Sequence, residues 1–169
     1  MPERSDPTPT EGELVVWLLR RATRHYGAAI RSALDDAGHA ELPQQGFWAV
    51  SALDGRDRAA VELVDLMQIT KQAVSQLVDS LATLGYVERH EDPTDGRRVL
   101  LRLSARGQAA ASVVAAAAAA VEHEARHRLG DGAMLELRRT LEGFVDDPAS
   151  RSTPVRPVPG RSALGRPTQ

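Results

Sequence analysis

The chain has 169 residues, 42% of them hydrophobic, 26% charged and only 4% aromatic, with no cysteine and a formal net charge of −2. That size fits one domain with tails, and the absence of cysteine excludes disulfides, thiolate metal sites, cysteine nucleophiles and cysteine redox switches. No uncharged apolar run reaches the roughly eighteen residues of a membrane span and the first residues lack a signal-peptide core, so the expectations are no membrane partner and a cytoplasmic location.

A near-neutral total also gives no global nucleic-acid signature. The charge is unevenly spread, however. Residues 148–169 carry Arg151, Arg156, Arg161 and Arg166, no acid, and five of the ten prolines, leaving residues 1–147 with 17 basic and 23 acidic side chains, a net of −6. The 148–169 segment reads as a disordered basic tail, and residues 1–10, with Pro2, Pro7 and Pro9, as a disordered N-terminus.

Between the tails, residues 11–37 contain no proline and place Leu14, Trp17, Leu18, Tyr26, Ile30 and Leu34 at helical spacing, which predicts a long first helix ended by Gly38. Pro43 suits the first turn of a short second helix, in which Phe47, Val50 and Leu53 share a face and Asp54-Gly55 is the stop. A third helix is expected near 59–67. Thr70 can cap a fourth, with Val74, Leu77, Val78, Leu81 and Leu84 as its apolar stripe and Gly85 at its end.

The period then changes to two. Residues 86–90 and 99–103 read as short strands joined by Asp92-Pro93-Thr94-Asp95-Gly96-Arg97-Arg98, a hairpin with a charged tip. Ser104 can cap a long helix running through the alanines of 115–120 to about Leu129, where Gly130-Asp131-Gly132 interrupts the chain; a last helix covers about 133–145. The fold class expected is mainly α with a small β-hairpin wing.

Two short helices joined by a tight turn and followed by a charged hairpin form a winged helix-turn-helix, whose second helix enters the major groove of double-stranded DNA. Its contact end is the N-terminus, where the helix dipole is positive, and there Thr70, Lys71, Gln72, Ser75 and Gln76 present hydrogen-bonding groups. Gln pairs with adenine, Lys with guanine or phosphate, and Ser with either. No acid occurs between Leu66 and Val78, so the local potential is positive within an acidic body, and screening over about 8–10 Å makes the local sign the one that counts. In the wing, Arg97 or Arg98 can enter a narrow minor groove, with Asp95 placed to orient Arg97. The bland alternative for each feature is a solvated polar face.

The blocks Ile69-Thr70-Lys71-Gln72-Ala73-Val74-Ser75-Gln76-Leu77-Val78-Asp79-Ser80-Leu81, Leu84-Gly85-Tyr86-Val87-Glu88-Arg89 and Asp92-Pro93-Thr94-Asp95-Gly96-Arg97-Arg98, then Leu103-Ser104, resemble the MarR-type family of bacterial transcriptional regulators over about residues 11–147. The resemblance implies a homodimer built from helices at about 11–37 and 105–147, with a DNA-binding module at about 42–104. It further implies a pseudo-palindromic operator, repression by occupancy, and release by a small ligand, commonly aromatic or phenolic, held in a cleft between dimer and DNA-binding regions. The family often has Thr, Gln, Gly and Arg where this chain has Pro43, Gly46, Gln68 and Gln76, so the operator read is expected to differ.

Candidate ligand-binding residues are Trp17, Arg24, His25, Tyr26 and Trp48, although Trp17 and Phe47 are expected first as core anchors of the first two helices. His123-Glu124-Ala125-Arg126-His127 reads H-E-x-x-H, the zinc-hydrolase pattern. A catalytic zinc needs a third protein ligand, and no histidine follows His127. A metal-responsive regulator using His123, His127 and His39 or an acid is the milder alternative. Protein contact without DNA is another. The expectation is a regulator with no catalytic residue, no enzyme activity and no cofactor.

Overall fold

The computed structural model describes residues 15–93 and 95–145, with the side chain of Arg97 left undescribed. The expected disordered segments at 1–10 and 148–169 lie outside these residues. The described chain divides into two compact units after Glu124, within one helix.

In the first unit, α1 spans Val15–Asp36, α2 Gly46–Leu53, β1 Arg58–Ala59, α3 Ala60–Met67, α4 Lys71–Thr83, β2 Val87–Asp92 and β3 Asp95–Leu103, and α5 (Ala105–Leu129) begins. The strands form an antiparallel sheet in the order β1-β3-β2. The core gathers one stripe from each element: Ile30 and Leu34 of α1, Phe47, Val50 and Leu53 of α2, Leu63 of α3, Val74, Leu77, Val78 and Leu81 of α4, Leu101 and Leu103 of β3, and Ala110, Ala111 and Val114 of α5. The second unit holds the end of α5 and α6 (Asp131–Val145). On α6, Met134, Leu137, Leu141 and Phe144 repeat at helical spacing, yet no residue of that helix is buried.

Most predicted elements form, with four differences. Trp17 is 53% exposed and Leu18 is exposed too, so Trp17 is not a core anchor within one chain, whereas Phe47 is. Of the predicted face, Ile30 and Leu34 in the C-terminal half of α1 are buried in this chain's core. Pro43 lies before α2 and not inside it: its carbonyl accepts from Gly46 N at 2.8 Å, a turn that leads into the helix. The hairpin strands are longer than expected, running through Asp92 and from Asp95, with an irregularity between Glu91 and Asp92. Finally, β1 went unpredicted; its two residues pair with Leu100 and Leu101.

Candidate nucleic-acid interface

The α3–α4 turn sets the direction of α4. Gln68 adopts a left-handed backbone, φ 53°, the only non-glycine to do so among the described residues. This is the position where the resembled family often has glycine, which takes that conformation without steric cost. Thr70 then caps α4, its Oγ1 accepting from Ala73 N at 3.2 Å. Burying Val74, Leu77, Val78 and Leu81 contributes about 1.5–3 kcal/mol each and fixes the rotation of α4 about its axis. Thr70, Lys71, Gln72, Ser75 and Gln76 are consequently all exposed, at an N-terminal turn without acid. Lys71 and Ser75 lie on the side toward the sheet, lining a groove with Val78, Arg89 and Val99; Gln72 and Gln76, four residues apart, form a separate row.

Two ion pairs that the sequence reading missed hold the wing. Arg89 of β2 donates to Asp79 of α4 at 2.5 Å, tying the hairpin to that helix. At the root, Arg102 of β3 grips Asp57 through Nε at 2.9 and 3.1 Å and a terminal nitrogen at 2.5 Å. The hydrogen-bonded guanidinium holds the Asp57 carboxyl below its usual range, against a smaller opposing effect of burial. Asp57 and Arg102 stand 45 positions apart and carry no motif; Asp79 and Arg89 lie within the blocks quoted above, the one signal that could have singled them out.

The return from the wing is also anchored. Ser104 Oγ donates to Gly85 O at 2.6 Å and accepts from Gly107 N at 3.0 Å, so it both caps α5 and ties it to the end of α4. Tyr86 is fully buried beneath the Arg106 guanidinium, 4.6 Å from its ring, and hydrogen-bonds His39 Nδ1 at 3.3 Å. Burial pushes its phenol pKa up, with Arg31 opposing. Arg106 also pairs with Glu41, and Arg31 donates to the carbonyls of Ala40 and Leu42. Around the start of β2, the loop after α1 and the start of α5 therefore form one polar junction.

At the wing tip, Asp95 and Arg98 are exposed, while the Arg97 side chain, and with it the expected Asp95–Arg97 pair, lies outside the described residues. Of the candidate ligand residues, Arg24 and His25 are exposed and Tyr26 half-buried on α1, whereas Trp48 lines a groove with residues of α2, α3 and the following turn and none of α1. The five are thus not gathered around that groove. His123 and His127 are exposed on α5, and His39, suggested as a further metal ligand, is buried against Tyr86. Among the described residues no group of three or more His, Asp or Glu could hold a metal ion, and no helix is long and apolar enough to cross a membrane.

Residues 42–98, from the start of α2 through the wing, match the family model described as "MarR family". Over that segment the chain is similar to the MarR family. Its fold matches the structure of NadR in complex with 4-hydroxyphenylacetate at a TM-score of 0.66, with 20% identity over 84% of this chain and 99% of that one. BpsR of Bordetella bronchiseptica, whose DNA binding is regulated by 6-hydroxynicotinic acid, matches at 0.62 with 22% identity, covering 83% and 99%. The repressor CouR, bound to a 23-mer DNA duplex, matches at 0.66 with 22% identity over the same shares. No curated protein sequence matches this chain. The MarR-type module coincides with the elements that place Lys71–Gln76 and the wing, so the family match and the exposed polar face fall on the same residues.

Proposed function

We propose that this protein is a homodimeric, sequence-specific DNA-binding repressor, not an enzyme, released from its operator by a small aromatic ligand. The observation that carries this reading is the exposed, acid-free N-terminal turn of α4, locked in orientation by four buried side chains and by the Arg89–Asp79 link to an arginine-bearing wing. A helix so presented is suited to the major groove, with Gln72 and Gln76 reading base edges, Lys71 and Ser75 contacting bases or phosphate, Thr70 fixing the helix start, and Arg97 and Arg98 of the wing reaching the minor groove beside Asp95.

Dimerisation is supported by apolar surface that one chain leaves uncovered. Val15, Val16, Trp17 and Leu18 of α1 are exposed, as are Leu135, Leu137, Phe144 (69%) and Val145 of α6. Large apolar side chains exposed along each of these helices are the kind of surface an interface covers. A two-fold dimer would set two copies of α4 about 34–36 Å apart, the spacing of successive major grooves on one face of DNA, and would demand a pseudo-palindromic operator. Ligand release draws support from the aromatic acids named for NadR and BpsR.

Gel-shift analysis with the promoter region of the protein's own gene tests the reading. A discrete, salt-sensitive complex containing two chains per duplex is expected; binding no tighter than to random DNA of equal length contradicts it.

A further inference from the structure

Between α2 and the α3–α4 turn runs a groove of about 590 Å³, lined by Gln45, Trp48, Ser51, Leu66, Met67 and Ile69 together with Ala52. That volume lies within the range of roughly 300–1,000 Å³ of small-molecule sites. Trp48 offers the groove a 58% exposed indole. Met67 supplies a polarisable thioether, which makes favourable contacts with aromatic rings. Gln45 and Ser51 each carry hydrogen-bond donors and acceptors. None of the lining residues is charged.

We propose that this groove is a binding site for a neutral, planar aromatic molecule bearing an amide or hydroxyl group. The ring stacks on Trp48 against Met67, and its polar group meets Gln45 or Ser51. Charge sets the ligand class. A ring carboxylate entering here would shed water without gaining a cation, which is costly. The groove on the sheet side of α4, by contrast, has Lys71 and the Asp79-paired Arg89 in its lining.

The position of the groove gives occupancy a consequence. Met67 and Ile69 flank Gln68, whose left-handed backbone joins α3 to the Thr70 cap of α4. Strained backbone of this sort clusters at switch regions and ligand clamps. A ring wedged between Trp48 and Met67 bears on both neighbours of that residue and so on the direction in which α4 leaves the turn. This consequence, though not the site itself, rests on the ligand-release reading above.

Trp17→Phe leaves Trp48 as the sole tryptophan, because the chain has two. In that full-length variant, benzamide and benzoate, alike in shape and different in charge, are titrated while Trp48 fluorescence is read, and the same titrations of the wild-type protein read operator affinity. A saturable Trp48 response to benzamide is expected, with benzoate at least about tenfold weaker, a difference of about 1.4 kcal/mol. Adding Leu66→Lys, at a position already half exposed, is expected to abolish the benzamide response and favour benzoate. No saturable response, equal responses to both compounds, or a benzamide response unchanged by Leu66→Lys would overturn the site. Saturable binding that leaves operator affinity unchanged keeps the site and retires the ligand-release reading. Operator release by either compound without a Trp48 response retires the site and keeps that reading.

Discussion

Gly107 shows how one missing Cβ locates the helix that follows the wing. A side chain there would collide with the Tyr86 carbonyl oxygen, which also accepts from Ser104 N at 3.0 Å, so α5 can lie against the strand root only if position 107 is glycine. Gly107→Ala should cost about 1–3 kcal/mol in chemical denaturation, because backbone has to move where no flexible side chain can yield. The recognition residues behave differently. Gln72 and Gln76 are exposed and bury nothing, so Gln72→Ala or Gln76→Ala should leave the melting temperature unchanged. Each should cost about 1–3 kcal/mol in operator binding and relax preference at one base pair, measured by competition with single-substituted operators. The exposure of Thr70, Lys71, Gln72, Ser75 and Gln76 was legible in the sequence because a capping threonine, an apolar stripe and an acid-free turn together specify which way α4 faces. Gly107 was not, since its role depends on a carbonyl 21 positions earlier.

Among the elements, helices were easier to read than strands. The stripes of α2 and α4 repeat at 3.6 residues and end at glycines with positive φ, Gly55 and Gly85, so pattern and stop signal agreed. β1 has two residues, Arg58 and Ala59, too few for any alternation, and exists through pairing with β3. Its anchor, the Asp57–Arg102 pair, gives the sheet a testable acid response. The folded-state pKa of Asp57 is lowered, chiefly by the Arg102 hydrogen bond, so the pair's contribution is complete above the ordinary value of 3.8 and is lost as pH falls through the lower folded value. Wild-type protein should therefore lose stability below about pH 4 more steeply than Asp57→Asn, which has no such carboxylate. Denaturant midpoints measured between pH 5 and pH 2 check this; identical acid limbs would show that the pair adds nothing. In α1, sequence periodicity identified an apolar face but not what covers its exposed N-terminal half, because a stripe records that a face is to be buried and not by which chain.

For the whole molecule, the net charge of −2 conceals an acidic body with the potential that matters confined to the start of α4 and the wing. Affinity for DNA should accordingly be specific in excess of its electrostatic part, since the acidic body as a whole repels phosphate. The central claim is sequence-specific recognition by that face. Its most direct test is fluorescence anisotropy at about 150 mM salt, comparing the protein's affinity for duplex from its own promoter region with that for a random duplex of equal length. A preference of about a thousandfold or more, lost on combining Gln72→Ala with Gln76→Ala, is the predicted result; equal affinity for the two duplexes would contradict the account.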